Sequence, residues 1–153
     1  MAIRNIVKLG DDVLRKVCRT QMTFDERLAT TLDDMAETMY KAEGVGLAAP
    51  QIGILRRYCI VDVGDGLIEL VNPVIESASG KQEGEEGCLS IPNRYESVTR
   101  PMKVTVRAQD RNGNSFTVTA EGFKARALCH EIDHLDGILY IDKTDKKIRR
   151  RGE

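Results

Sequence analysis

The sequence predicts an α+β fold, and three observations carry that expectation. An apolar stripe of helical period lies near the N-terminus, a run of β-branched segments fills the middle, and a second helical segment follows the last of them. Helices therefore flank a block of short strands instead of alternating with them, which favours α+β over a doubly wound parallel sheet. At 153 residues the chain suits one domain, 1–153, with residues 143–153 as a basic C-terminal tail.

The first helix is expected over residues 23–43. Thr23-Phe24-Asp25-Glu26 matches a capping box, in which the Thr23 hydroxyl accepts from the third helical amide and Glu26 reaches back. Leu28, Leu32, Met35 and Met39 then recur at spacings of one helical turn, a stripe that reads as core packing. Gly44 stands where a left-handed residue would end the helix. Tyr58-Cys59-Ile60-Val61-Asp62-Val63 reads as a strand stopping at the turn Gly64-Asp65-Gly66. Leu67 to Ile75 continues in the same style, and Asn72-Pro73 marks an edge or a bulge within it. Residues 103–108 and 115–119 alternate polar with apolar around Asp110-Arg111-Asn112-Gly113-Asn114, the pattern of an antiparallel hairpin. Gly122 opens the second helix, from about Phe123 to Leu135, which closes near Gly137.

Composition excludes several classes of function. Twenty-three Lys and Arg against 24 Asp and Glu leave a formal charge of -1, so no global basic field for DNA exists. No 18-residue apolar run is present, so no membrane span is expected. Met1-Ala2-Ile3-Arg4-Asn5 has no apolar h-region, and Cys18, Cys59, Cys88 and Cys129 have no paired spacing. Reduced thiols and a cytoplasmic location are the expectation.

The only two histidines lie in His130-Glu131-Ile132-Asp133-His134, on the second helix. A four-residue spacing is just over one turn, so both imidazoles leave one face where a single cation can hold them. Glu131 projects about 100° around the helix from His130, within reach of water at that cation. A third ligand is needed. Downstream, Asp136, Asp142, Asp145 and Glu153 offer oxygens without convincing placement. The better candidate is upstream, in Glu86-Gly87-Cys88-Leu89-Ser90-Ile91-Pro92, a turn-like segment whose thiolate completes a three-ligand site with room for water. Cys18, Cys59 and Cys129 read as small buried hydrophobes. In Gly44-Val45-Gly46-Leu47-Ala48-Ala49-Pro50-Gln51, small residues leave the backbone open to an extended ligand. Gln51 reads either as a buried amide that satisfies the loop or as a donor aimed at a substrate oxygen.

Together these segments resemble the peptide deformylase family, which is marked in order by a G-φ-G-φ-A-A-x-Q loop, an E-G-C-L-S turn and an H-E-x-D-H helix. The resemblance runs from about residue 3 to 145. It implies an α+β fold of short antiparallel strands around a central helix carrying H-E-x-x-H. It also implies a metalloenzyme of protein biosynthesis, a hydrolase that removes the formyl group from N-formylmethionine of nascent polypeptides and releases formate. By the same resemblance Cys88, His130 and His134 hold one divalent metal, ferrous iron natively, with zinc, nickel or cobalt tolerated. Glu131 shuttles the proton, and the Gln51 amide and the Leu89 backbone N–H meet the oxyanion. Val45, Gly46 and Gly87 line the cleft for the peptide backbone.

The same resemblance places Arg126 at the methionine pocket, where relatives usually have an aliphatic residue, and implies that its stem lines the pocket while its charge reaches out to solvent. Glu43 and Arg100 resemble a charged pair that braces the first motif. The basic residues of 143–151 resemble a contact to ribosomal RNA near the exit tunnel, set against a plain solvated terminus. Two other readings compete. A zincin-like peptidase would share the helix but not need Cys88. A structural metal module, or an inactive relative that binds formyl-peptides without cleaving them, is set against by the presence of Glu131 and Gln51, which a purely structural site does not need.

Overall fold

A computed structural model describes residues 2–145. The chain opens with an extended N-terminal segment and a 3-10 turn at Asp12–Arg15, then forms α1 (Glu26–Lys41). The helix starts inside the expected capping box. Its cap is Asp25, whose carboxylate accepts from the Leu28 amide at 3.0 Å. Asp caps as well as Ser or Thr and suits the positive end of the helix dipole. The far end also departs from the expectation by one residue. Glu43, with φ 60°, takes the left-handed position, while the Gly44 and Glu43 amides close on the Met39 and Tyr40 carbonyls.

Next come β1 (Gly46–Ala48), a 3-10 turn at Ala49–Ile52, β2 (Tyr58–Val61) and β3 (Ile68–Ser79). Then follow β4 (Gln82–Cys88), β5 (Ile91–Arg100), β6 (Lys103–Gln109), β7 (Ser115–Glu121) and α2 (Gly122–Leu135), with a last 3-10 turn at Tyr140–Asp142. Five strands pair antiparallel in the order β1-β2-β3-β6-β7, and β4 and β5 form a separate two-stranded hairpin. The β6–β7 hairpin is the expected one, from Lys103↔Glu121 to Gln109↔Ser115. Asn72-Pro73 is a bulge within an interior strand. The β3–β6 register shifts there, Asn72 has φ 53°, and its side chain bonds the Gln21 backbone and Gln109.

Three apolar clusters hold these elements around α2. Leu28, Leu32, Met35 and Met39 of α1 pack on Leu47, Ile60 and Val71, so the helical stripe is core as expected. Ala125, Leu128, Ile132 and Leu135 of α2 pack on Val61, Leu70, Val104 and Val106 of the large sheet. Cys18, Cys59 and Cys129 join this second cluster as buried free thiols. A smaller third cluster of Leu14, Ile91, Val98, Leu139 and Tyr140 lies against the β4–β5 hairpin. α2 is thus covered on nearly every side, yet it buries Arg126, His130, Glu131 and His134. Burying such groups costs several kcal/mol each unless they are paired, so this helix was not shaped by stability alone.

Candidate metal centre

Two pieces of backbone converge here. α2 presents His130 and His134 one turn apart, and the C-terminal end of β4 brings Cys88 across to them. One thiol and two imidazoles place ligand atoms within 4.8 Å of one another, the one group of this kind among the described residues. Cys88 Sγ lies 3.4 Å from His134 Nε2, and the two imidazole centroids are 5.1 Å apart. A tetrahedral ion with bonds of about 2.3 Å to sulfur and about 2.05 Å to nitrogen needs an S···N edge near ~3.5 Å. The donor set and its spacing fit such an ion.

The two histidines sit in opposite electrostatic environments. Burial opposes protonation of His130, but Glu131, Cys88 and Glu86 more than offset it and raise its pKa to about 10. Burial pulls His134 well below its ordinary value. Glu86 Oε1 lies 2.9 Å from His130 Nδ1. Burial would raise the Glu86 carboxyl, yet hydrogen bonds from Arg100 and His130 hold it down at about 2. An ionised carboxylate only accepts, so His130 donates from Nδ1, and its Nε2 can ligate a cation once it gives up its proton.

Glu86 anchors a buried ion network. Arg100 grips it twice, at 2.7 and 2.9 Å, and also donates to Asp133 at 2.6 Å. Arg126 Nη1 donates to Glu86 at 2.7 Å and to the Val98 carbonyl at 2.9 Å. Two sequence expectations are corrected here. Arg100 pairs with Glu86 and Asp133 and not with Glu43, which is exposed. Arg126 does not send its charge to solvent. Its side chain is 6% exposed and turns inward, because a buried carboxylate repays desolvation that water would otherwise supply.

Glu131 lies beside the donor set, its Oε2 4.0 Å from His130 Nε2. Burial pushes its carboxyl up to about 7. Its Oε1 and His134 Nδ1 are among the buried polar atoms with no hydrogen-bond partner in the described structure. Such an atom costs stability unless water or a ligand meets it. Gly46 makes room for it, since a Cβ there would sit 2.4 Å from Glu131 Oε2. The Gln51 side chain satisfies its loop, accepting from the Ala48 amide at 2.9 Å. Its Nε2 meanwhile points to Ser90 Oγ at 3.1 Å and Cys88 Sγ at 3.5 Å. These contacts fit the reading of Gln51 as a buried amide that satisfies its loop, and they place its Nε2 beside Cys88.

A cleft of about 420 Å³ opens onto this centre, lined by Val45, Gly46, Gln51, Gly87, Cys88, Leu89, Arg126, His130 and Glu131, among others. His134 sits behind the wall at 1% exposure. Sequence reasoning passed over Glu86 and Asp133, whose partners lie on distant segments. It also passed over Tyr95 and Phe123, exposed aromatics at the cleft. The available signals were the acid next to Gly87-Cys88 and the aspartate within the histidine helix. The basic tail lies, from residue 146 on, outside the described residues.

Comparison with known proteins agrees with this geometry. The family model described as polypeptide deformylase matches residues 3–150. A peptide deformylase of Caldicellulosiruptor bescii is 57% identical over 144 residues, covering 94% of this chain and 87% of that protein. One from Clostridium botulinum is 56% identical over 147 residues, covering 96% of this chain and all of its own length. The crystal structure of a peptide deformylase from Legionella pneumophila superposes with a TM-score of 0.91 at 48% identity, covering 97% of this chain and 92% of that one.

Proposed function

The chain belongs to the peptide deformylase family, metal-dependent hydrolases that remove the formyl group from N-formylmethionine of nascent peptides, and we propose that residues 1–153 act as one catalytic domain in which Cys88, His130 and His134 hold the metal. The observation that carries this reading is the 3.4 Å approach of Cys88 Sγ to His134 Nε2 beside the Glu131 carboxyl, whose Oε1 has no partner among the described residues. A bound divalent cation supplies Lewis acidity and water of lowered pKa, near about 7.

The chain's own residues do the rest. Glu131 accepts a proton from water and delivers it to the leaving amine. Gln51 Nε2 and the Leu89 backbone N–H donate to the oxyanion that develops on the formyl oxygen when water adds to the formyl carbon. Val45, Gly46 and Gly87 present an open backbone edge along which the peptide extends as an added strand. Arg126, tied to Glu86, closes one side of the pocket for the methionine side chain with its aliphatic stem.

Ferrous iron is our assignment for the native metal. The mixed thiolate and imidazole set also accommodates zinc, nickel and cobalt. No helix among the described residues is long and apolar enough to cross a membrane. We place the enzyme in the cytoplasm, where its nascent-chain substrates emerge, with no membrane or DNA as partner.

The test is anaerobic purification, metal analysis and a formate-release assay on formyl-Met-Ala-Ser. Glu131→Ala should keep its metal and lose turnover by about 10²- to 10⁴-fold. An active Glu131→Ala enzyme would remove Glu131 from the mechanism. Six basic side chains within 143–151 are proposed to contact ribosomal RNA. Deleting 146–153 should weaken ribosome binding and flatten its salt dependence, and an unchanged affinity would dismiss that contact.

A further inference from the structure

One buried residue touches both the metal helix and the cleft wall, and no motif singles it out. Tyr140 follows α2 in the last 3-10 turn and is 1% exposed. Its ring stacks on the His130 imidazole, with centroids 5.9 Å apart and planes inclined by 29°. Its hydroxyl donates to the Arg94 carbonyl at 2.6 Å.

Each contact meets a need visible elsewhere. Glu86 holds His130 by a hydrogen bond at Nδ1, which does not by itself fix the tilt of the ring, and the His134 ring meets it edge-on on one side only, with centroids 5.1 Å apart. A packed ring on its face removes that freedom. Arg94 lies between the Glu86↔Glu96 and Cys88↔Ile91 pairs, where the β4–β5 register shifts. A bulged segment lacks part of the ladder that steadies a regular strand. Asn93, with φ 63°, adds a left-handed residue to it. Pro92, Asn93 and Tyr95 of this segment line the cleft. Tyrosine, not phenylalanine, satisfies both needs, because a buried hydroxyl must find an acceptor and here the acceptor is the bulge itself.

We propose that Tyr140 is a positioning residue with two separable tasks: its ring holds the His130 imidazole in place, and its hydroxyl holds the bulged strand that walls the substrate cleft. The first task rests on His130 being a metal ligand. The second does not.

The experiment compares Tyr140→Phe, Tyr140→Leu and His130→Ala with the unaltered enzyme. One measurement is the nickel dissociation constant by competition with a chromophoric chelator. The other is kcat and KM on formyl-Met-Ala-Ser. Tyr140→Phe should keep nickel affinity and kcat within about twofold while KM rises about 3- to 10-fold, the scale of one buried hydrogen bond. Tyr140→Leu should weaken nickel binding about 10- to 100-fold, as loss of support around a ligand does, with an unchanged circular dichroism spectrum. Tyr140→Met, whose flexible unbranched side chain adapts to the space the ring leaves, takes its place if Tyr140→Leu does not fold. Unaltered nickel binding in Tyr140→Leu or Tyr140→Met overturns the ring's task, as does equal weakening in Tyr140→Phe. An unchanged KM in Tyr140→Phe overturns the hydroxyl's task. His130→Ala that still binds nickel normally refutes the ligand assignment, and the ring's task with it, while the KM result is judged separately.

Discussion

At the scale of single residues, the site is built from atoms that would be liabilities elsewhere. The Glu131 carboxyl is buried with one oxygen unpartnered, and it keeps that position only because Gly46 has no side chain to displace it. Gly46 is fully extended in β1 and needs no unusual φ, so its reason is space and not backbone freedom. Gly46→Ala should therefore fold normally, since β1 tolerates alanine, yet lose activity because the new methyl would stand 2.4 Å from Glu131 Oε2. We expect kcat to fall by at least about tenfold, the cost of displacing the carboxyl proposed to move the proton. A Gly46→Ala enzyme with full kcat would show that Glu131 has room to move. Cys88 shows the same logic from the other side, a thiol left partly open at the cleft while the three remaining cysteines are packed away.

At the scale of elements, the N-terminal segment is strapped to α1 by charge. Asp34 accepts from the Ala2 amide at 2.7 Å and from Arg4 Nε at 3.0 Å, and Thr38 accepts from the Arg4 amide at 2.8 Å. Burial would raise the Asp34 carboxyl, but the Ala2 and Arg4 hydrogen bonds outweigh it and hold its pKa below the ordinary 3.8. A carboxyl depressed on folding stabilises above its unfolded pKa, and that contribution is lost as pH falls through the folded value. Protection of the Ala2 amide from hydrogen exchange should therefore be steady between about pH 5 and 7 and decline below about pH 4. In Asp34→Asn that acid-dependent decline should vanish, and its persistence would place the responsible group elsewhere. The β4–β5 hairpin is an element of another kind. Its strands carry Gly84, Gly87 and Pro92 and little apolar alternation, so its pairing leans on the Glu86–Arg100 bridge and on the cluster around Tyr140.

At the scale of the whole molecule, three modest cores meet around one helix that carries buried charge, and a metal held as proposed by Cys88, His130 and His134 would tie that helix to the hairpin. Anything that binds the folded state alone stabilises it by mass action, by about 4 kcal/mol when free metal exceeds Kd a thousandfold. Stripping the metal should lower the melting temperature on the order of 10 °C for a domain of this size, and re-addition should restore it. Identical melting curves with and without chelator would mean that the ligands do not bridge the two elements. Much of this architecture was legible in advance, because helical stripes, the β6–β7 turn and the four-residue histidine spacing are local periodicities written along the chain. The β4–β5 strands were not, because they lack that periodicity. Nor were the partners of Arg100 and Arg126, which are chosen through space. The bare sequence determined the donor set, the helix that carries two of its members and the stripe that buries α1. Only the tertiary structure decided that Cys88 reaches His134, that Arg126 turns inward to Glu86 and that Tyr140 backs His130. Periodicity acts between neighbours on one chain segment, whereas desolvation leaves a buried charge to pair with whichever opposite charge the packing brings within reach.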